Sequence, residues 1–177
     1  PLFIERTTVV IGDTGLALRA ALELAQIAHQ VTLVAPTHGD LDSELGKRLV
    51  TAPNVTLMEG YRVEKVLGDE YARTLVIKKG ADVRELHADA FFVELERLPN
   101  AGLVSHIAEC DSKGRIKIDA RNRTTAPGLF AAGDVTDAFA EQVLIAIGEG
   151  AKAALAAYEY LLEQPAPEPV GHGERPY

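Results

Sequence analysis

With 177 residues, 47% of them hydrophobic and 25% charged, the chain has an ordinary globular composition, long enough for one well-buried domain and too short for two of usual size. A net charge of -8 disfavours nucleic acid and anionic membrane surfaces as partners, because both would repel it. No apolar run approaches the ~20 residues that span a bilayer. The opening Pro-Leu-Phe-Ile-Glu-Arg lacks the basic region and apolar core of a signal peptide, so a cytoplasmic location is expected.

Thr7 to Ile11 is a short β-branched run stopped by Gly12, the pattern of a buried parallel strand. Good helix formers with apolar residues at helical spacing follow from Ala17 to Ala28, and Val31 to Val34 is a second strand. This order demands a parallel pair with a right-handed crossover. Asp40 to Val50 reads as a second helix with Asp40 as its N-cap, and Asn54 to Met58 as a third strand. From Tyr61 to Leu86, three alternating stretches separated by Gly68-Asp69 and Gly80-Ala81 predict an antiparallel meander. Ala90 to Leu95 is another apolar strand, stopped by Pro99-Asn100.

Ala101 to Arg123 is loop-rich, with one short strand at Ile116 to Ile118. Gly128 to Ala132 reads as a buried strand. Gln142 to Leu162 is a long Ala-rich helix whose apolar positions Val143, Ile147, Ala151, Ala154 and Leu155 share one face. From Gln164 the tail is rich in Pro and Gly and is expected to be disordered. The fold class is α/β: a Rossmann-like parallel sheet with helices on both faces, plus the meander. The chain is expected to divide into residues 1–100, a C-terminal segment of residues 101–163 and the tail of residues 164–177.

Cys110 is the only cysteine, so the chain holds neither an internal disulfide nor a Cys-x-x-Cys pair. Glu109 and Asp111 flank it and oppose a thiolate, which makes it an inert residue near a loop. One cysteine and the scattered His29, His38, His87, His106 and His172 give no zinc spacing and no acid–base pattern; surface or turn positions are expected for most of the histidines.

The strongest signal lies between Thr125 and Ala151, which read TAPGLFAAGDVTDAFAEQVLIAIGEGA. Thr-x-Pro-Gly before a strand, Ala-Ala-Gly-Asp at its end, then Gln-Val and Gly-Glu-Gly-Ala in the final helix make an ordered set. It resembles the C-terminal flavin-contacting segment of thioredoxin reductases and of the related flavoprotein subunit of alkyl hydroperoxide reductase. Gly133 lacks a Cβ and permits close backbone approach. Asp134 stands at the carboxyl end of a strand, where open α/β sheets bind ligands; the resemblance implies that it hydrogen-bonds the ribityl chain of FAD. Gln142 and Val143 open the last helix with unpaired N–H groups and the positive dipole end, suited to the flavin N1–C2=O edge. Glu141 departs from the pattern, since family members usually carry Arg or Lys there.

Residues 1–100 resemble the same family's pyridine-nucleotide domain, and Pro1-Leu2-Phe3 matches the residues that directly follow the family's Cys-x-x-Cys-Asp-Gly motif. The resemblance thus runs from Pro1 to Glu163, and it implies that the redox cysteines and the first flavin glycine loop belong to a preceding half. The nucleotide-binding pattern is degraded at three places. The loop Gly12-Asp13-Thr14-Gly15-Leu16-Ala17 has Thr14 where the second glycine would admit the pyrophosphate, and Asp13 adds a negative charge beside that position. Val34-Ala35-Pro36 offers neither an acid for the ribose nor a basic cluster for a 2′-phosphate. Glu96 replaces a family glycine close to the nucleotide. Gly12, Thr14, Gly15 and Ala17 could instead serve the flavin in a compact one-domain arrangement.

Together these features predict a thioredoxin-reductase-like flavin oxidoreductase in partial or reduced form, binding FAD and not NAD(P)H, with no catalytic residue of its own. The alternative is a non-catalytic flavin- or nucleotide-binding module or structural domain. A homodimer using the last helix and Leu129 to Ala132 is expected, with a redox protein as a further partner.

Overall fold

The computed structural model describes residues 2–165. The tail expected to be disordered therefore falls outside the described residues from position 166 onward, as does His172. The chain divides into two compact units, Pro1–Glu96 and Arg97–Tyr177; length alone favours one domain, but the second unit closes around a small core of its own.

The first unit holds β1 (Thr7–Ile11), α1 (Gly15–Ala25), β2 (Gln30–Ala35), α2 (Glu44–Val50), β3 (Val55–Glu59), β4 (Arg62–Gly68), β5 (Ala72–Lys79), β6 (Asp82–His87) and β7 (Ala90–Val93). Four strands form a parallel sheet in the order β3-β2-β1-β7, and the meander forms a separate antiparallel sheet, β4-β5-β6. The period of two along each strand sends alternate side chains to opposite faces. On one face Val10, Val31 and Leu33 pack with Leu18, Ala21 and Leu24 of α1 and Leu49 of α2. On the other, Val9, Ile11 and Val34 pack with Leu75 and Ile77 of β5. Leu18, Leu33, Leu49, Leu75 and Ile77 are fully buried, each stabilising the unit by about 1.5–3 kcal/mol.

The parallel sheet, its helices and the meander are those the sequence predicts. Helices on both faces are not found in this unit: α1 and α2 share one face, and the three-stranded sheet covers the other. The second helix is also shorter than expected. Its N-cap is Ser43, whose Oγ accepts from the Gly46 amide, and Asp40 has a different task.

The second unit is built on turns. Its core gathers Ala101, Ala108 and Ile116, with Val104, Leu129, Ala131 and Val135 around them. Gly128 to Ala132 forms no extended strand, with Leu129 to Ala132 half-buried; a single bridge joins Phe130 to Arg123. Ile116 to Ile118 likewise makes only isolated bridges, from Ile116 to Cys110 and Thr136. A 3-10 turn at Gly133–Val135 follows, then α3 at Val143–Glu163.

The apolar spacing of α3 predicts a core face at Val143, Ile147, Ala151, Ala154 and Leu155, and the structure turns that face outward: Val143 is 76% exposed and Leu155 67%. The packed face is Ala146, Glu149, Ala153, Ala156 and Tyr160, at the 3–4 residue spacing of one helical side. Two glycines of the preceding loop meet this face. Ala146 Cβ would be 3.3 Å from a Cβ at Gly133, and the Tyr160 ring passes Gly128 and stacks edge-on with Phe130. Among the described residues no helix is long and apolar enough to cross a membrane.

Candidate functional site

In the second unit the candidate flavin residues sit between two short anchors. Thr136, nearly fully buried, returns its Oγ to the Gly133 carbonyl at 2.7 Å, and the Ile116 amide donates to the Val135 carbonyl at 2.9 Å. These bonds fix the 3-10 turn and leave the Asp134 side chain at the surface. Gly133 adopts φ +77°, a left-handed conformation that costs an L side chain about 1–2 kcal/mol. Its missing Cβ admits Ala146 of α3.

Gln142 is the N-cap of α3; its carbonyl accepts from Ala146 and no side chain caps the helix. The first-turn N–H groups, beginning with Val143, therefore have no intrahelical acceptor and present a positive helix end. Asp134 and Glu141 line a hollow of about 300 Å³ together with Arg97, Pro99, Asn100 and Arg115. Arg97 Nη1 lies 2.9 Å from Glu141 and 4.0 Å from Asp134. The negative charge that Glu141 brings is thus answered by Arg97, a residue the sequence patterns do not single out because the pairing spans 44 positions. A flavin fits these residues in part: a surface carboxylate, an uncapped helix end and a hollow sized for a portion of the cofactor.

In the same unit, Asn122 is fully buried with φ +61°. Its Nδ2 donates to the Ala131 carbonyl at 2.8 Å and to the Glu149 carboxylate. Lys152 foremost, and Asn122 second, hold the Glu149 carboxyl below its ordinary value. This pairing ties the loop before Ala-Ala-Gly-Asp to the Gly-Glu-Gly part of α3.

The glycine loop of the first unit has a different character. Gly12, at φ +147°, lies so close to β7 that a Cβ would meet the Glu94 carbonyl at 2.2 Å and Ala17 Cβ at 2.8 Å. Gly12 and Ala17 therefore make the tight strand–helix joint that the pattern requires. Thr14 is the N-cap of α1, without a side-chain cap bond. Gly15, the first helical residue, donates its N–H to Asp40 Oδ2 at 2.7 Å. Asp13 turns away from the loop mouth and accepts from the Thr37 amide at 2.9 Å and hydroxyl at 2.7 Å. Ala35, at the acidic position of nucleotide binders, is fully buried, and Glu96 is exposed. A carboxylate of the chain thus occupies the first N–H of the helix, where folds of this kind bind a phosphate.

His29, His38, His87 and His106 are exposed. Among the described residues no group of His, Cys, Asp and Glu is placed to hold a metal ion. Cys110 is a half-buried free thiol.

A model of the pyridine nucleotide-disulphide oxidoreductase family matches residues 3–154. An alkyl hydroperoxide reductase subunit of Pseudomonas putida is 37% identical over 171 residues, 94% of this chain and 33% of that protein. NADH dehydrogenase of Bacillus subtilis is 35% identical over 166 residues, 92% of this chain and 32% of that protein. Thioredoxin reductase from Streptococcus pyogenes superposes with a TM-score of 0.79 at 27% identity, over 92% of this chain and 55% of that one. Thioredoxin reductase from Giardia duodenalis gives 0.79 at 25% identity, over 91% and 54%. The chain thus spans about a third of the length of these curated relatives and about half that of the solved structures.

Proposed function

This chain belongs to the pyridine nucleotide-disulphide oxidoreductase family, and from that premise we propose that it supplies the flavin-contacting part of an oxidoreductase resembling thioredoxin reductase and the flavoprotein of alkyl hydroperoxide reductase. The observation that carries this reading is the grouping of Asp134 and the Arg97–Glu141 pair around one hollow, with Glu141 directly preceding the uncapped start of α3 at Gln142 and Val143. Asp134 would accept hydrogen bonds from the ribityl hydroxyls of FAD, and the helix end would face the edge of the ring that gains negative charge on reduction. A bound flavin would supply the two-electron relay; the protein's share is to hold and orient it.

In this proposal the glycine loop of the first unit takes no NAD(P)H, so electrons reach the flavin from another donor, a redox protein. Disulfide chemistry would need cysteines beyond Cys110, the single one in this sequence. That lone thiol, together with the occupied glycine loop, favours a second reading: a flavin-binding module without catalysis. The absorbance spectrum of the purified chain tests the first point. A flavin spectrum that bleaches under dithionite supports a flavoprotein, and its retention without turnover of a disulfide substrate supports the second reading. A colourless chain that does not quench added FAD contradicts both.

The reading also assigns the outward face of α3, with Val143, Leu144, Ile147 and Leu155 all more than 60% exposed, to contact with a second copy of the chain. Light scattering above micromolar concentration gives a dimer mass if this is right and a monomer mass if it is not.

A further inference from the structure

The Rossmann-like joint between β1 and α1 leaves one feature of the first unit unexplained by family pattern. A helix N-terminus behind a glycine turn attracts a phosphate, because its free N–H groups and dipole favour negative charge. Here the anion comes from the chain itself. Asp40 Oδ2 accepts the Gly15 N–H at 2.7 Å, in the position such folds leave to the ligand. The contact is held from several sides. The Asp40 amide donates to the Asp13 carbonyl at 2.8 Å, and the Ser43 amide to the Asp40 carbonyl at 2.9 Å. Asp13 Oδ2 takes both bonds from Thr37, while the Gly39 amide donates to Thr37 Oγ1 at 3.2 Å. Gly39, at φ +46°, runs so near the Asp13 carbonyl that a Cβ would stand 2.1 Å from it. The β2–α2 loop is thus folded down onto the glycine loop and stitched to it by backbone as well as side chains.

We propose that Asp40 is the resident anion of this helix N-terminus: its carboxylate substitutes for the phosphate of a dinucleotide and closes the glycine loop. The inference rests on the proposed reading of this loop as one that takes no NAD(P)H, and it names the cause. The geometry of the fold is kept, the ligand is replaced by a side chain, and the α1 dipole stays neutralised without cofactor. A pyrophosphate at the Gly15 N–H would have to displace Asp40, whose carboxylate it meets as a like charge.

Amide NMR of the full chain tests this, with inorganic pyrophosphate as the probe at constant ionic strength. The Gly15 resonance of the unaltered chain should move in an acid titration as the carboxylate is protonated, and should stay flat in Asp40→Asn, which keeps an acceptor but does not titrate. Pyrophosphate should leave Gly15 unmoved in the unaltered chain and shift it in Asp40→Ala. Binding to that variant should be about tenfold tighter, the order expected when one competing charge leaves a helix terminus. The same acid response in Asp40→Asn overturns the proposal without requiring any variant that loses the loop anchor. If the unaltered chain refuses NADH but Asp40→Ala gains no pyrophosphate binding, the role of Asp40 falls while the closed-loop reading stands. If NADH shifts Gly15 in the unaltered chain, both fall.

Discussion

Arg97 Nη1 lies 2.9 Å from Glu141 and 4.0 Å from Asp134, so one guanidinium answers two carboxylates at the rim of the same hollow. All three side chains are more than a third exposed, and pairs of this kind contribute at most about 1 kcal/mol to stability. In the proposed flavin site their weight falls on the ligand. Arg97→Ala should change the unfolding midpoint little, yet weaken FAD binding by about tenfold, because two uncompensated carboxylates then stand at the proposed site of an anionic cofactor. Glu141→Gln should act in the opposite direction. Flavin fluorescence quenching measures both, and equal affinity in all three proteins would remove the pair from the site.

Gly133→Ala forces a Cβ into φ +77° and against Ala146 at 3.3 Å. The variant should be about 1–2 kcal/mol less stable by urea unfolding, the usual cost of a left-handed alanine. A loss confined to ligand affinity, with stability intact, would mean that the glycine serves the ligand and not the helix contact.

Asn122 combines a left-handed backbone with two donated bonds from a fully buried side chain. Asn122→Gly keeps the backbone conformation and loses the bonds, so it isolates their contribution, expected at about 1–3 kcal/mol. Asn122→Ala should cost more, since it adds backbone strain. Equal midpoints for the two variants would show that no such strain is present.

His38 sits between Glu59, 2.9 Å from Nδ1, and Asp42, 3.1 Å from Nε2. The hydrogen bond to Glu59 first, and then that to Asp42, raises its pKa above the ordinary 6.5. A raised folded value means that the protonated form binds its partners in the native state. The added stability is therefore fully present below pH 6.5 and is lost as pH rises through the folded value. The gap in melting temperature between the unaltered chain and His38→Gln should be open at about pH 5.5–6 and close on the alkaline side; a gap independent of pH would contradict the pairing.

The first unit was legible because β-branched runs, glycine turns and alternating stretches act locally: β1, β2, β3 and the meander stand where Thr7–Ile11, Val31–Val34, Asn54–Met58 and Tyr61–Leu86 predict them. What failed was partnership. Asp40 carries a helix-capping side chain, and sequence distance assigns it to the nearest helix; its bond goes instead to Gly15, 25 positions away. In α3 the larger apolar residues suggest the core face, yet Ala146 and Tyr160 pack instead, against Gly133 and Gly128. Hydrophobic periodicity says that a face is to be covered and does not name the cover. The Ala-Ala-Gly-Asp segment identified the family, while Arg97, whose partners lie far along the chain, left no local signal.

The measurement that bears most directly on a flavin site in this chain is an FAD titration of the full chain beside Asp134→Ala, followed by quenching of flavin fluorescence. Saturable quenching by the unaltered chain, weakened about tenfold or more in the variant through loss of hydrogen bonds to a charged acceptor, is the expected result. Quenching of equal strength in both proteins, or none in either, would contradict a flavin site built on Asp134.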